Sequence, residues 1–395
     1  MGRGQREAYF RRFHWILLSL IGSVEFVRGA IFIALIPIYA PQHLHADALL
    51  TGAIMSSMSG ADTFFKPSAG WLVDLFGPRT TLLVSLSCAM IGLSAFMWSK
   101  SILILIIGAI LFGLGCAPVW PAVLSTLVEL APSHEKAETL SGIFMVWLTG
   151  VGFGVILVYL LYHFGPRLLI FSLLCIFCLP LGLALNIRKW VSKRRTNRES
   201  GAKRHFLQIL REAWRFRVLL PGAIAQTMAL SMLLPLLAPF IVRTYGLGVH
   251  TFGWLIGGAG IVTIALLVPV GKMVDRFGHL PFLTTGFIMA GALLLAISRY
   301  TNHLLILPYT VLLGVSYSLI LPSWNGLLAR LLPSSVRASL YSIIMSIEGL
   351  GVAAGPVIGG TLGVAFGYRF TFGVSATILF IMAIFYLVLR YPAPE

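Results

Sequence analysis

The sequence predicts an all-α membrane protein, with twelve transmembrane helices in two six-helix, pseudo-symmetric bundles. Composition is the first ground. Of 395 residues, 58% are hydrophobic and 11% charged, with a mean hydropathy of +0.92, whereas a soluble domain carries about 25% charged residues. Length is the second. Apolar runs recur along the whole chain, each near the roughly 20 residues that cross a bilayer at about 1.5 Å per residue. Repetition is the third, because the second six runs restate landmarks of the first at a constant offset.

In order, the runs of the first half cover about 15–40, 48–73, 80–98, 101–125, 138–163 and 167–187. Those of the second half cover about 218–242, 250–274, 281–298, 303–329, 338–363 and 368–389. The expected organisation is an N-terminal bundle over 1–187, a polar linker over 188–217 and a C-terminal bundle over 218–395. The first run is too long for a cleavable signal peptide, and no small-residue cleavage site follows it.

The net charge of +16 would suggest nucleic acid in a soluble protein. Here the basic residues cluster between spans, and no nucleic-acid-binding signature accompanies them. The linker holds eleven Lys and Arg residues, from Arg188 to Arg217, against Glu199 and Glu212 alone. The N-terminus adds Arg3, Arg6, Arg11 and Arg12, while opposite loops carry single bases such as Lys100, Arg167 and Arg299. By the positive-inside rule both termini and the linker are cytoplasmic in a multi-pass cell-membrane protein. The linker can also lie on anionic headgroups. Cys88, Cys116, Cys175 and Cys178 all fall inside apolar runs, and the one C-x-x-C has no second pair or nearby His. They read as packing residues rather than a metal or redox site.

The repeat is plainest at two turns. Gly70-x-x-x-Asp74-x-x-Gly77 ends the second run, and Gly271-x-x-x-Asp275-x-x-Gly278 ends the eighth. Gly113 with Gly314, Pro121 with Pro322 and Pro132 with Pro333 keep the same offset, and Phe164-Gly165 answers Phe366-Gly367. The glycines permit a tight cytoplasmic turn. Asp74 can cap the neighbouring helix or pair with Arg79, a latch that must break if the halves rock, and Asp275 has the equivalent place. In the eleventh run Gly351, Gly355, Gly359 and Gly360 surround Pro356. Glycines four apart let helices approach closely, and proline supplies a bend.

Charges inside apolar runs are the sharpest functional signal. An acid and a base midway along a span are costly unless they face a polar interior. Glu25 and Arg28 are three apart, and Asp62 and Lys66 four apart, so each pair shares a helix face. Desolvation disfavours a charged carboxylate and a nearby Arg favours it. Balanced pressures of that kind let protonation follow conformation, so Glu25, Arg28 and Asp62 are candidates for proton coupling. Lys66, which can snorkel, and Glu348 in the eleventh run are candidates for substrate contact.

Indoles lie near the same depth. Trp120 sits in Pro118-Val119-Trp120-Pro121, Trp147 in the fifth run, and Trp324-Asn325 follows Pro322 in the tenth. An indole offers a flat apolar face and one donor, suited to a sugar ring or an amphiphile. Trp120, Trp147, Trp324 and Asn325 are therefore the remaining substrate-binding candidates. Trp15, Trp71 and Trp98 stand near span ends and read as interfacial belt residues.

The doubled Gly-x-x-x-Asp-x-x-Gly loop resembles the signature loop of the major facilitator superfamily, and the resemblance covers the whole chain. It implies two halves that move by alternating access, a site between parallel repeats, and a monomer. Within that superfamily, Glu25-Phe26-x-Arg28-Gly29, Ala61-Asp62, Pro118-Val119-Trp120, Trp147-Leu148-x-Gly150, Leu321-Pro322-Ser323-Trp324-Asn325 and Gly355-Pro356-x-x-Gly359-Gly360 are similar, in order and spacing, to the proton-coupled flippases of the lipoteichoic-acid glycolipid anchor. That similarity implies a polar pocket of Glu25, Arg28, Asp62, Trp120 and Trp147 for a sugar headgroup and protons, with acyl chains held by the second half. Lys66 and Glu348 depart from that pattern.

An alternative is a proton-coupled multidrug or small-solute exporter of the same superfamily. Drug antiporters carry a Gly-Pro-Gly-Gly motif in the fifth span, whereas the fifth span here has Gly150, Gly152 and Gly154 without that proline. An enzyme is not expected, as no His-Glu-x-x-His or Ser/His constellation is present. No phosphate-binding loop appears, so ATP is not expected to drive the protein, and neither cofactor nor metal is implied.

Overall fold

Proline and glycine set where these helices bend and stop. A computed structural model describes residues 3–98, 101–130, 136–187, 219–300, 302–331 and 337–388. The basic linker 188–217, Lys100, Pro132 and Pro333 lie outside the described residues, as do the side chains of the N-terminal arginines and of Asp74. The first half contains α1 (Arg3–Gly29), α2 (Ile36–Leu44), α3 (Ala48–Trp98), α4 (Ile102–Cys116), α5 (Val119–Leu130), α6 (Lys136–Leu161) and α7 (Pro166–Leu185). The second contains α8 (Leu220–Ser231), α9 (Leu234–Tyr245), α10 (Val249–Phe277), α11 (His279–Arg299), α12 (His303–Leu331), α13 (Arg337–Phe366) and α14 (Tyr368–Val388).

Three spans are each built from two helical pieces, and proline explains the breaks. Pro37 has no N–H to give Ile33, and the chain widens into a π-helical stretch, Ala30–Leu35, before α2. Pro235 likewise cannot bond back to Ser231, where α8 ends before α9 begins. Pro118 separates α4 from α5 just ahead of Trp120. Eleven stretches among the described residues are long and apolar enough to cross a membrane. The first part of α3, which holds Asp62 and Lys66 near its middle, is the twelfth helix of the two-bundle fold.

The duplication is written into the backbone. All six positive-φ residues among those described fall into pairs at a near-constant spacing: His45 with Gly246, Gly77 with Gly278, and Gly165 with Gly367. Gly77 (φ 80) and Gly278 (φ 98) are the last glycines of the two signature loops. Across the first loop, Thr81 Oγ1 donates to Leu72 O at 3.0 Å. Only glycine takes such a φ without strain.

By contacts the chain divides into two compact units, one of residues 1–35 and 57–206 and the other of 36–56 and 207–395. In the first unit α1 packs on α6 and α7, and in the second α8 packs on α13. α1 with α6 and α8 with α13 are equivalent pairs in the two repeats. Lipid offers no hydrophobic gain for helix association, so small residues must bring backbones together. Gly22, Gly29, Gly150 and Gly154 do so between α1 and α6, and a methyl on Gly150 would lie 2.7 Å from Gly22 O. Gly351, Gly355 and Gly359 face α8 in the same manner. There, Thr227 Oγ1 donates to Glu348 O at 2.8 Å and Ser231 Oγ to Gly351 O at 3.1 Å.

A methyl on Gly154 would collide with Phe26 O, which is backbone and cannot rotate away. Gly154→Ala should therefore destabilise the protein by about 1–3 kcal/mol, the usual cost of overpacking. The check is the thermal unfolding midpoint in detergent; an unchanged midpoint would show that α1 and α6 part freely. Outward faces are strongly apolar: Val84, Leu103, Leu304 and Ile384 are all exposed, as are Trp15, Trp71 and Trp98 near span ends. Such exposure suits lipid, and it places the polar chemistry inside each unit.

Candidate functional site

A four-charge chain runs through the first unit. On α1, Arg28 Nε lies 3.0 Å from Glu25 Oε2, an ion pair by distance though not aligned as a hydrogen bond. Arg28 Nη1 reaches Asp62 Oδ2 on α3 at 3.4 Å, and Lys66 Nζ donates to that same oxygen at 2.7 Å. Helical spacing aligns the members of each pair, while the Arg28–Asp62 contact between α1 and α3 joins the pairs. Two acids and two bases leave the chain electrically neutral.

Neutrality decides whether such a group survives burial. Removing one ion from water costs several kcal/mol even after relaxation. Two opposite charges 4 Å apart recover about 4 kcal/mol at an effective dielectric near 20. The alternating order Glu25, Arg28, Asp62, Lys66 gives every inner charge two opposite neighbours, so gain and cost are comparable. The side chains are not equally covered: Glu25 is 1% exposed and Asp62 10%, against 23% for Arg28 and 15% for Lys66. Glu25 is the sealed member, Asp62 and Lys66 differ little, and Arg28 keeps the most surface.

An indole completes the acid end. Trp120 Nε1 donates to Glu25 Oε1 at 2.8 Å, and Trp120 is itself buried. A charged acceptor makes this bond about twice as strong as a neutral one. The break at Pro118 starts α5 at Val119 and so fixes the rotation of Trp120 toward α1. Trp147 meets Trp120 edge to face with centroids 6.3 Å apart, and Phe144 packs against both. Phe144 is a site residue that the sequence reading missed, although it stands three before Trp147 on one helix face. Cys116, a turn before Trp120 and within electrostatic reach of all four charges, is another.

The second unit holds a smaller polar group. Trp324 Nε1 donates to Glu348 Oε1, joining α12 to α13. Tyr317, two turns before Trp324, lies within electrostatic reach of that carboxylate. Trp324 is buried, with its ring 6.0 Å from Tyr386, which stacks on Phe287. Asn325 Nδ2 donates to Leu321 O at 3.0 Å, so part of its amide is spent on its own helix. Of the loop residues, Gly70 has open space at its Cβ position, Gly77 makes the turn, Arg79 is half-buried and Asp275 is exposed.

Two bundles of membrane-crossing helices with a buried charge chain at mid-span are the arrangement of a membrane transporter. Residues 18–226 and 219–395 match the Major Facilitator Superfamily, and the chain belongs to that family. It is 26% identical over 379 residues to the proton-coupled antiporter flippase LtaA of Staphylococcus haemolyticus (strain JCSC1435), covering 94% of this chain and 92% of that protein. The protein of the same name from Staphylococcus aureus (strain MSSA476) is 24% identical, with 94% and 93% covered. Among solved structures, the nucleoside transporter NupG superposes with a TM-score of 0.75 at 12% identity, covering 94% of this chain and 97% of its own. The D-xylose-proton symporter gives 0.74 at 15%, with 95% and 97% covered. These two likenesses speak to the fold.

Proposed function

We propose that this transporter is proton-coupled and moves an amphipathic, glycolipid-like substrate across or between leaflets of the cell membrane by alternating access. The observation that carries the reading is the buried chain Glu25–Arg28–Asp62–Lys66 with Trp120 bonded to its acid end. A proton on either acid removes one charge from a neutral, low-dielectric group, which shifts the attraction between α1 and α3. Glu25, Arg28 and Asp62 carry the coupling in this reading. Trp120, Trp147 and Lys66 contact the polar head, and Trp324, Asn325 and Glu348 provide the second unit's contacts. Gly70, Asp74, Gly77, Arg79 and Asp275 act as the latch of the cytoplasmic loops. The relatives named proton-coupled antiporter flippases, matched over 94% of the chain, support the assignment of both proton and lipid. Cytoplasmic termini, a basic linker over 188–217 and a monomeric state belong to the same proposal.

The test is flipping of a fluorescent diglucosyl-diacylglycerol in proteoliposomes, with and without a pH gradient. Flipping that responds to the gradient is expected. Folded protein that moves no more lipid than empty liposomes would overturn the lipid reading and direct attention to soluble solutes.

A further inference from the structure

We infer that the polar head of the substrate carries a phosphate-class oxyanion, which Lys66 and Arg28 bind in place of the Asp62 carboxylate when Asp62 holds a proton. The inference deepens the proton-coupled reading above and rests on it. Three observations lead to it.

First, Lys66 Nζ and Arg28 Nη1 converge on a single oxygen, Asp62 Oδ2, at 2.7 and 3.4 Å. Two cationic donors aimed at one oxygen already form an oxyanion cradle, occupied by the protein's own carboxylate. Guanidinium and ammonium groups are the side chains that bind phosphate, one as a fork and the other as a point charge.

Second, the cations keep somewhat more surface than the acids. Glu25 is sealed and Asp62 nearly so, while Arg28 and Lys66 keep more of their surface. A neutral sugar gains little from that arrangement, whereas an anion gains from both groups.

Third, once Asp62 is protonated the charges balance only with an anion. Glu25 and Arg28 face Asp62 from α1, Lys66 from its own helix, and Cys116 from α4. With both acids ionised the chain is neutral. A proton on Asp62 leaves Arg28 and Lys66 against Glu25 alone, an excess of one positive charge. A bound monoanion restores the neutrality of the chain. The second carboxylate oxygen, Asp62 Oδ1, is buried without a hydrogen-bond partner among the described residues, and can hold the proton without disturbing the cradle.

The test compares binding of phosphatidylglycerol, neutral diglucosyl-diacylglycerol and soluble glycerol 3-phosphate to the purified full-length protein in detergent, read by thermal stabilisation. Phosphatidylglycerol should bind about tenfold tighter than the neutral glycolipid, the effect of one charge-assisted hydrogen bond. Lys66→Gln should erase that preference and Lys66→Arg restore it. Asp62→Asn imitates the protonated acid by removing the negative charge that competes for both cations, so it should bind the anion more tightly than wild type. Glycerol 3-phosphate binding with the same Lys66 dependence would identify a soluble phosphate as the source, and its failure to bind would identify the lipid head. An anionic preference unchanged in Lys66→Gln, or anion binding lost in folded Asp62→Asn, overturns the inference. Lys66-dependent anion binding with no transport in proteoliposomes would instead sink the transport reading and leave the oxyanion site standing.

Discussion

Asp62→Asn should abolish gradient-driven transport while the protein remains folded. Asp62 alone contacts both cations of the chain, Lys66 at 2.7 Å and Arg28 at 3.4 Å. Asparagine keeps the volume and one acceptor oxygen, so both donors retain a partner, but it can neither bind nor release a proton. Breaking a buried ion pair costs about 3–5 kcal/mol, and the partial exposure of both cations puts this site at the low end. Spent on the coupling step, about 3 kcal/mol is a factor of roughly 100 in rate. The measurement is lipid movement in proteoliposomes with and without a pH gradient, beside a dye that reports proton entry. Wild-type sensitivity to the gradient in the variant would remove Asp62 from the coupling machinery.

Glu25→Gln should be the more destabilising change, because Glu25 is the most deeply sealed member at 1% exposed. It carries two contacts at once, the Trp120 indole at 2.8 Å and Arg28 at 3.0 Å. Glutamine still accepts from the indole but leaves Arg28 to share Asp62 with Lys66, so a cation is left undercompensated between helices. The expected loss is about 3–5 kcal/mol, seen as a lower unfolding midpoint in detergent. A cycle pairing Glu25→Gln with Trp120→Phe isolates the indole bond. Bonds to charged groups contribute about 1.5–3 kcal/mol, and the change to glutamine removes only the charge-dependent part, so a coupling of about 1 kcal/mol is expected. Strictly additive losses would mean that Trp120 and Glu25 meet without energetic consequence.

How much of this was legible in the sequence depends on how far apart the partners stand. The pairs Glu25–Arg28 and Asp62–Lys66 follow from helix periodicity, because three and four residues make one turn. The repeated glycine turns were legible for a similar reason: a tight reversal selects glycine, and Gly77 and Gly278 both have positive φ. His45, the non-glycine residue with positive φ among those described, gave no such signal. Glu348 looked unaccompanied because no base shares its span, yet an indole from the neighbouring helix reaches it. Asn325 read as a substrate-binding candidate, and part of its amide is bonded to a carbonyl of its own helix.

The sequence by itself determined the family and its two bundles of membrane-crossing helices, the duplicated turns and the on-helix charge pairs. Each of these rests on local constraints: hydropathy over a span, the backbone needs of a turn, the 3.6-residue period. Only the tertiary structure decided that the two pairs form one chain, through Arg28 and Asp62 on separate helices, and that Trp120 closes its acid end from α5. Those contacts depend on how α1, α3 and α5 are rotated about their axes. Glycine approaches and proline breaks set that rotation, and no periodicity within a single helix encodes it.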